Sequence, residues 1–269
     1  MKYIIITDLD GTLLDHTTYS FEKAKDALAL VRERNIPVVI FTSKTQAEIE
    51  VYREKLDNKD PFIPENGGAI IIPEGYFNSV IDKKNGNYRI VRLGTPYKEI
   101  VAALHKIRES CGIAITGFSD LTPEKISAIT GIDISSAIRA KQRLYSEPIF
   151  IESGHENINK IKKIFNVLGF NFMEGGRFHH IFSLNTDKGK AVKMLINMYC
   201  DHYHDQIRTI GIGDSHIDLP MLAAVDVPVI VRKKTGDYDK RIQLPNLVYA
   251  DGIGPAGWNR EILRIFKDL

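Results

Sequence analysis

The sequence predicts an α/β protein, a doubly wound and mostly parallel sheet of Rossmann-like plan that carries an inserted α/β subdomain. Three observations lead there. Apolar runs of strand length alternate with amphipathic helical stretches at both ends of the chain, so the two ends read as halves of one sheet. Between them, from about residue 84 to residue 184, the rhythm changes. The 269 residues, 43% hydrophobic and 26% charged, also hold enough material for a large packed core and a second unit.

The elements follow in order. Tyr3 to Thr7 is a continuous apolar run, as expected of a strand covered on both faces. Phe21 to Arg34 places Ala24, Ala27, Leu28 and Val31 on one helical face, and Pro37 to Phe41 is a second buried strand. Ala47 to Leu56 reads as helix, and PFIPENGGAIII, residues 61–72, as two short strands around a glycine turn. The pattern resumes with a helix at Lys188 to Tyr199, a strand at Arg208 to Ile212, a helix at Leu219 to Ala224, a strand at Val227 to Val231 and a closing helix at Trp258 to Lys267. In the middle stretch we expect a hairpin near Asn85-Gly86-Asn87, a helix from Tyr97 to Ser110, and the strands IFIES and FHHIFSL flanking a helix from Asn157 to Leu168. The expected division is a core of residues 1–83 and 185–269 with an insert of 84–184.

Composition narrows the function. With 36 Lys and Arg against 34 Asp and Glu the formal charge is only +2, so no global field points to nucleic acid or to an anionic membrane. The insert is the more basic part, with eight Lys and six Arg against nine acids. Cys111 and Cys200 lack the spacing of a zinc site and do not make a disulfide framework, which favours a reducing compartment. No apolar run approaches the roughly 18 residues of a membrane span, and the start is too short for a signal peptide. The expectation is a cytoplasmic protein, monomer or homodimer, with a small-molecule partner and neither nucleic acid nor membrane.

The first strand ends in DLDG. In a doubly wound sheet ligands bind beyond the carboxyl ends of the strands, so Asp8 and Asp10 fall where a site is expected, and two carboxylates held that close call for a cation. Oxygen ligands in a tight cluster suit Mg²⁺. An EF-hand loop fails as an alternative, because aligning the glycine puts Ile6 and Thr17 at ligand positions. Capping of a turn remains an alternative for DxD taken alone. Three further strand ends add to it. PVVIF is followed by Thr42, Ser43 and Lys44, hydroxyls and a cation ahead of a helix. Asp187-Lys188-Gly189-Lys190 opens the returning helix, where a lysine can neutralise a phosphoryl group. RTIGI is followed by GDSHID, with Asp218 one helical turn beyond Asp214.

In this order DLDGTLL, FTS, DKGK and GDSHID resemble the four motifs of the haloacid dehalogenase superfamily of phosphatases, and an insert between the second and third is typical of members with a large α/β cap. PENGGAI (64–70), LGTPY (93–97), GFSDLTPEKISAITG (117–131), YSEP (145–148) and GGRFHH (175–180) resemble, more narrowly, the mannosyl-3-phosphoglycerate phosphatases. The resemblance implies a phosphomonoesterase in which Asp8 is the nucleophile and forms an aspartyl-phosphate. It implies that Asp10 protonates the leaving oxygen and then activates water. It further implies Mg²⁺ on the Asp8 carboxylate, the Asp10 carbonyl and Asp214, with Asp218 either binding it directly or supporting those ligands, and Thr42, the backbone at Ser43 and Lys188 on the phosphoryl oxygens. For the substrate's glycerate carboxylate the candidate is Arg177, with Gly175 and Gly176 admitting the ligand closely. Glu65 and Asn66 are candidates for sugar hydroxyls, and Lys44 and Arg143 are further basic candidates. Many members carry asparagine before the last aspartate, where this chain has Ile217. A phosphomutase or broader sugar phosphatase, and a catalytically weak sugar-phosphate sensor, are the alternatives.

Overall fold

A computed structural model describes residues 1–77, 87–111, 114–151, 155–174, 178–184, 186 and 188–267. The chain starts with β1 (Lys2–Thr7), α1 (Lys25–Glu33), β2 (Val38–Phe41), α2 (Gln46–Leu56), β3 (Phe62–Ile63), β4 (Ala69–Pro73) and β5 (Tyr88–Arg92). Next come α3 (Tyr97–Cys111), β6 (Ile115–Gly117), α4 (Pro123–Thr130), α5 (Ile134–Ala140), β7 (Ser146–Ile151), α6 (His155–Val167), β8 (Phe170–Met173) and β9 (His179–Ser183). It ends with α7 (Lys188–Tyr203), β10 (Ile207–Gly213), α8 (Leu219–Leu222), β11 (Val227–Arg232), β12 (Val248–Ile253) and α9 (Pro255–Ile265).

The strands form an eight-stranded sheet in the order β12-β11-β10-β1-β2-β3-β4-β5 and a four-stranded sheet in the order β6-β7-β9-β8. In the large sheet β12 through β3 are parallel, while β4 and β5 add an antiparallel edge. Period-2 alternation divides β1 between two cores. Ile5 joins Trp258, Ile262 and the α1 residues Ala27 and Val31 on one face, and Ile4 and Ile6 join Tyr199, Leu195 and Met221 on the other. Both faces are thus covered by helices, which is why the strands read as unbroken apolar runs. The chain order reverses at β1, where β2 lies on one side and β10 on the other, so a crevice opens past its carboxyl end.

Several elements depart from the expected ones. The helix expected from Phe21 begins as a short 3₁₀ turn at Glu22–Ala24 and becomes α-helical at Lys25. β5, expected inside the insert, is instead the edge strand of the large sheet, paired through Ala69↔Arg92 to Pro73↔Tyr88. The large sheet therefore extends past residue 83, and the smaller sheet with α3 to α6 occupies the stretch after it. Most of the expected hairpin at Asn85-Gly86-Asn87 lies outside the described residues, though the strands flanking it do pair antiparallel. The small sheet packs Ile149 and Ile181 against Ile100, Leu104, Ile161 and Phe165 of α3 and α6, while α4 and α5 form a separate cluster around Phe118 and Ile126. Among the described residues no helix is long and apolar enough to cross a membrane.

Candidate active site

The site is built on four strand ends. At the end of β1 the Asp8 amide donates to the Ile212 carbonyl at 3.0 Å, which joins the loop to β10. Trp258 Nε1 donates to Thr7 Oγ1 at 3.2 Å, and Thr7 Oγ1 donates to the Asp8 carbonyl at 2.8 Å. A buried indole in α9 thereby pins the backbone of the first aspartate. Gly11 turns the chain at φ +81°, and a Cβ there would lie 2.9 Å from Asp214 Oδ2, so both conformation and space require glycine.

Asp8, Asp214 and Asp218 gather ligand oxygens within 4.8 Å of one another. Asp218 is buried and highly constrained. Its Oδ2 accepts from the amides of Asp214 and Ser215, each at 3.2 Å, and its Oδ1 lies 3.4 Å from Lys188 Nζ, at the first turn of α7. Gly213 makes this possible, because a Cβ there would stand 2.5 Å from the Asp218 Cβ. Burial, then the charge of Asp218, raises the Asp8 carboxyl well above its ordinary range; Lys188 opposes this, and Asp214 and Asp10 add to it. Burial and Asp218 likewise push Asp214 up to about 7, against the pull of Lys233. Three clustered acids, two of them, Asp8 and Asp214, with ionisation disfavoured by burial and by the charge of the third, fit a divalent cation, which would relieve that repulsion.

The Asp10 carboxylate lies outside this cluster. Lys44 Nζ holds its Oδ2 at 2.9 Å, while its Oδ1 is buried with no hydrogen-bond partner among the described residues. Lys44 sits near the Tyr19 and Tyr52 rings, 5.4 and 5.8 Å from their centroids, and lies 4.0 Å from Glu48. Burial alone would lower its pKa, but Asp10 and Glu48 outweigh burial and raise it, so the ammonium stays charged. Lys44, expected as a basic contact to substrate, is thus paired with Asp10 in this structure. Thr42 is wholly buried at the end of β2, its hydroxyl accepting from the Lys44 amide at 3.4 Å. The Ser43 carbonyl accepts from Arg143 Nη2 at 2.8 Å.

Of the residues expected to meet the sugar and glycerate, Glu65 is engaged by the protein itself. It is wholly buried, and its carboxylate accepts from the Leu144 amide at 2.9 Å, the Tyr145 amide at 3.0 Å and Ser146 Oγ at 2.8 Å. Asn66, by contrast, is buried with both polar side-chain atoms unpartnered among the described residues, and Arg143 is buried with Nε unpartnered. Gly175, Gly176, Arg177 and Asp187 lie outside the described residues.

The sequence did not single out Thr12, whose hydroxyl donates to Asp8 Oδ2 at 3.4 Å. Nor did it single out Lys233, which directly follows β11 and bonds Asp239 at 2.7 Å while acting on Asp214. The strand-end rule that found Thr42 applied equally to Lys233. His180 also belongs here. Burial, with the charges of Arg143 and Lys188, pushes it down to about 3, so it is a neutral imidazole beside the cations of the site.

A carboxylate at the end of a central parallel strand, a lysine from a helix start and a paired-acid loop on the neighbouring strand thus meet in one crevice. The chain belongs to the haloacid dehalogenase-like hydrolases, a family that matches residues 5–238. A glucosyl-3-phosphoglycerate/mannosyl-3-phosphoglycerate phosphatase of Methanococcoides burtonii is 46% identical over 98% of this chain and 97% of its own. A Persephonella marina protein of the same description is 38% identical over 99% of this chain and 98% of its own, and a mannosyl-3-phosphoglycerate phosphatase of Pyrococcus furiosus is 37% identical over 86% and 91%. Among solved structures, a Thermoplasma acidophilum protein matches with a TM-score of 0.71 at 17% identity, covering 99% of each chain. A haloalkanoate-superfamily phosphatase from Bacteroides thetaiotaomicron matches at 0.68 and 18%, covering 100% of this chain and 96% of its own. These two likenesses establish the fold.

Proposed function

We propose that the protein is a Mg²⁺-dependent phosphomonoesterase that removes phosphate from mannosyl-3-phosphoglycerate or a related glycosyl-3-phosphoglycerate. The observation that carries the chemistry is the cluster of Asp8, Asp214 and Asp218 with Lys188 at 3.4 Å from Asp218. The near full-length likeness to phosphatases of that description supports the substrate.

In this reading one Asp8 oxygen attacks phosphorus as the bond from phosphorus to the glycerate oxygen breaks, which replaces one difficult displacement by two easier ones. Asp10 delivers a proton to the departing oxygen, and its unpartnered Oδ1 is the atom suited to that task while Lys44 holds Oδ2. Water then attacks the phosphorus of the aspartyl-phosphate, Asp10 takes its proton, and the Asp8 carboxylate and inorganic phosphate are released. Lys188 and Thr42 hold phosphoryl oxygens through both steps. Mg²⁺, held by Asp8, Asp214, Asp218 and the Asp10 carbonyl, would supply the positive charge that favours ionised Asp8 and offsets charge on the phosphoryl group.

The test is phosphate release from mannosyl- and glucosyl-3-phosphoglycerate, mannose 6-phosphate, 3-phosphoglycerate and an aryl phosphate, each with Mg²⁺ and with chelator. The expected result is Mg²⁺-dependent release with strong preference for a glycosyl-3-phosphoglycerate. Equal turnover of every phosphate would remove the substrate assignment, and release unaffected by chelation would remove the metal.

A further inference from the structure

The turn between β3 and β4 joins two parts of the molecule that must act together. Its backbone belongs to the Thr42–Lys44 loop, since the Glu65 amide donates to the Lys44 carbonyl and the Asn66 amide to the Thr42 carbonyl, both at 3.0 Å. Its side chain reaches the segment that leads into β7, where the Glu65 carboxylate accepts from Leu144, Tyr145 and Ser146. Arg143 closes the circuit. Its Nη2 donates to the Ser43 carbonyl at 2.8 Å, and its Nε lies 4.0 Å from Glu65 Oε2.

Three further observations show how firmly this junction is specified. Glu65 and Asn66 both hold left-handed backbone conformations, at φ +49° and +59°, which two successive side-chain-bearing residues keep only when their surroundings over-determine them. Gly68 packs so closely that a Cβ there would stand 2.3 Å from the Tyr145 Cβ. The Thr45 hydroxyl also donates to the Arg139 carbonyl at 2.9 Å, at the end of α5. A wholly buried carboxylate with three donors is costly to disturb, because any lost partner leaves a desolvated charge unpaired.

We propose that Glu65 is a positioning residue: by clamping residues 144–146 it sets the seat of the four-stranded sheet and of Arg143 against the Thr42–Lys44 loop. Substrates that need the inserted unit depend on the clamp, and small phosphates that do not need it are indifferent to it. The choice of a glycosyl-3-phosphoglycerate as the dependent substrate rests on the proposed function.

The experiment compares wild type with Glu65→Gln, which keeps the shape and removes the charge, and Ser146→Ala, which removes one donor. Steady-state kinetics on mannosyl-3-phosphoglycerate and on an aryl phosphate are measured beside amide hydrogen exchange in 42–46 and 143–148. Glu65→Gln is expected to raise KM for the glycosyl substrate by about tenfold or more, the scale of a lost charge-assisted hydrogen bond, with aryl phosphate turnover nearly unchanged. Ser146→Ala is expected to shift KM the same way by less, and stands in if Glu65→Gln does not fold. Exchange should accelerate in both segments together. Equal losses on both substrates, or no change on either, would overturn the proposal. If wild type turns over the aryl phosphate and not the glycosyl substrate, the functional reading falls, and exchange alone decides the clamp. Joint acceleration then upholds it, and acceleration confined to 143–148 overturns it.

Discussion

Asp8 is a residue whose function and stability pull in opposite directions. It is 8% exposed, and three acids act on it besides burial, with Lys188 the opposing charge. The proposed chemistry needs it ionised, whereas the fold without a cation is easier with it neutral. Asp8→Asn separates the two demands. Phosphate release should fall by about a thousandfold or more, since no carboxylate remains to attack phosphorus. Stability without Mg²⁺ at pH 8 should rise by at least about 1 kcal/mol, because an amide of the same shape carries no charge to bury. Urea unfolding beside a phosphate assay checks both; a variant that loses activity and stability together would show that the carboxylate holds the loop rather than stressing it. Lys44 teaches a related lesson at this scale. A lysine after a strand reads as a ligand's counter-charge, yet its partner is the second aspartate of DLDG, 34 residues earlier in the chain, and no periodicity could have paired them.

At the scale of elements, α2 shows how a local signal and a long-range contact coincide. Thr45 caps the helix in a reciprocal box with Glu48, and the same hydroxyl donates to the Arg139 carbonyl. Thr45→Ala should cost about 1–2 kcal/mol in urea unfolding, at the upper end for a cap, because it also removes that tie. A loss of a few tenths would mean that water replaces both bonds. The parallel strands and the helices between them were legible because both faces are covered and the apolar runs are unbroken. β12 was not, since VYADGI alternates exposed and buried residues at the sheet edge and carries Asp251 and Gly252. α4 and α5 carried readable start signals, Thr122-Pro123 and Asp133, but their short apolar faces form a small cluster with Phe118, Phe150 and Phe178, so periodicity was weak. Three of the four motifs were legible because they follow β1, β2 and β10, whose carboxyl ends share one crevice, and the fourth because it opens the helix that returns to the large sheet. The role of Glu65 was not, because its partners lie about 80 residues away and nothing in PENGG distinguishes a clamp from a turn.

For the whole molecule, the acid cluster links folding to pH and to metal. Asp214, pushed up to about 7 from an ordinary 3.8, keeps a proton in the folded chain across a range where the unfolded chain has lost it, and Asp8 is raised in the same sense. The folded state thus binds more protons, and the contribution of Asp214 to stability declines as pH rises from about 4 to about 7, with Asp8 adding a decline of the same sign. His180 and His216 are lowered from 6.5, so they act with the opposite sign over the acid part of that range and blur the total. Protons and Mg²⁺ compete for the same oxygens, and a ligand that binds only the folded chain stabilises it in proportion to its affinity. The rise in melting temperature on adding Mg²⁺ should therefore be small at pH 5, grow steeply through pH 6 to 7 and reach a plateau by pH 8. In Asp214→Asn the increment should be small at every pH. Calorimetric scans at fixed ionic strength, with Mg²⁺ and with chelator, read this directly. An increment of the same size at pH 5 and pH 8 would mean that Mg²⁺ binds elsewhere on the protein, and that the three clustered acids are a charged strand-end network rather than a metal centre.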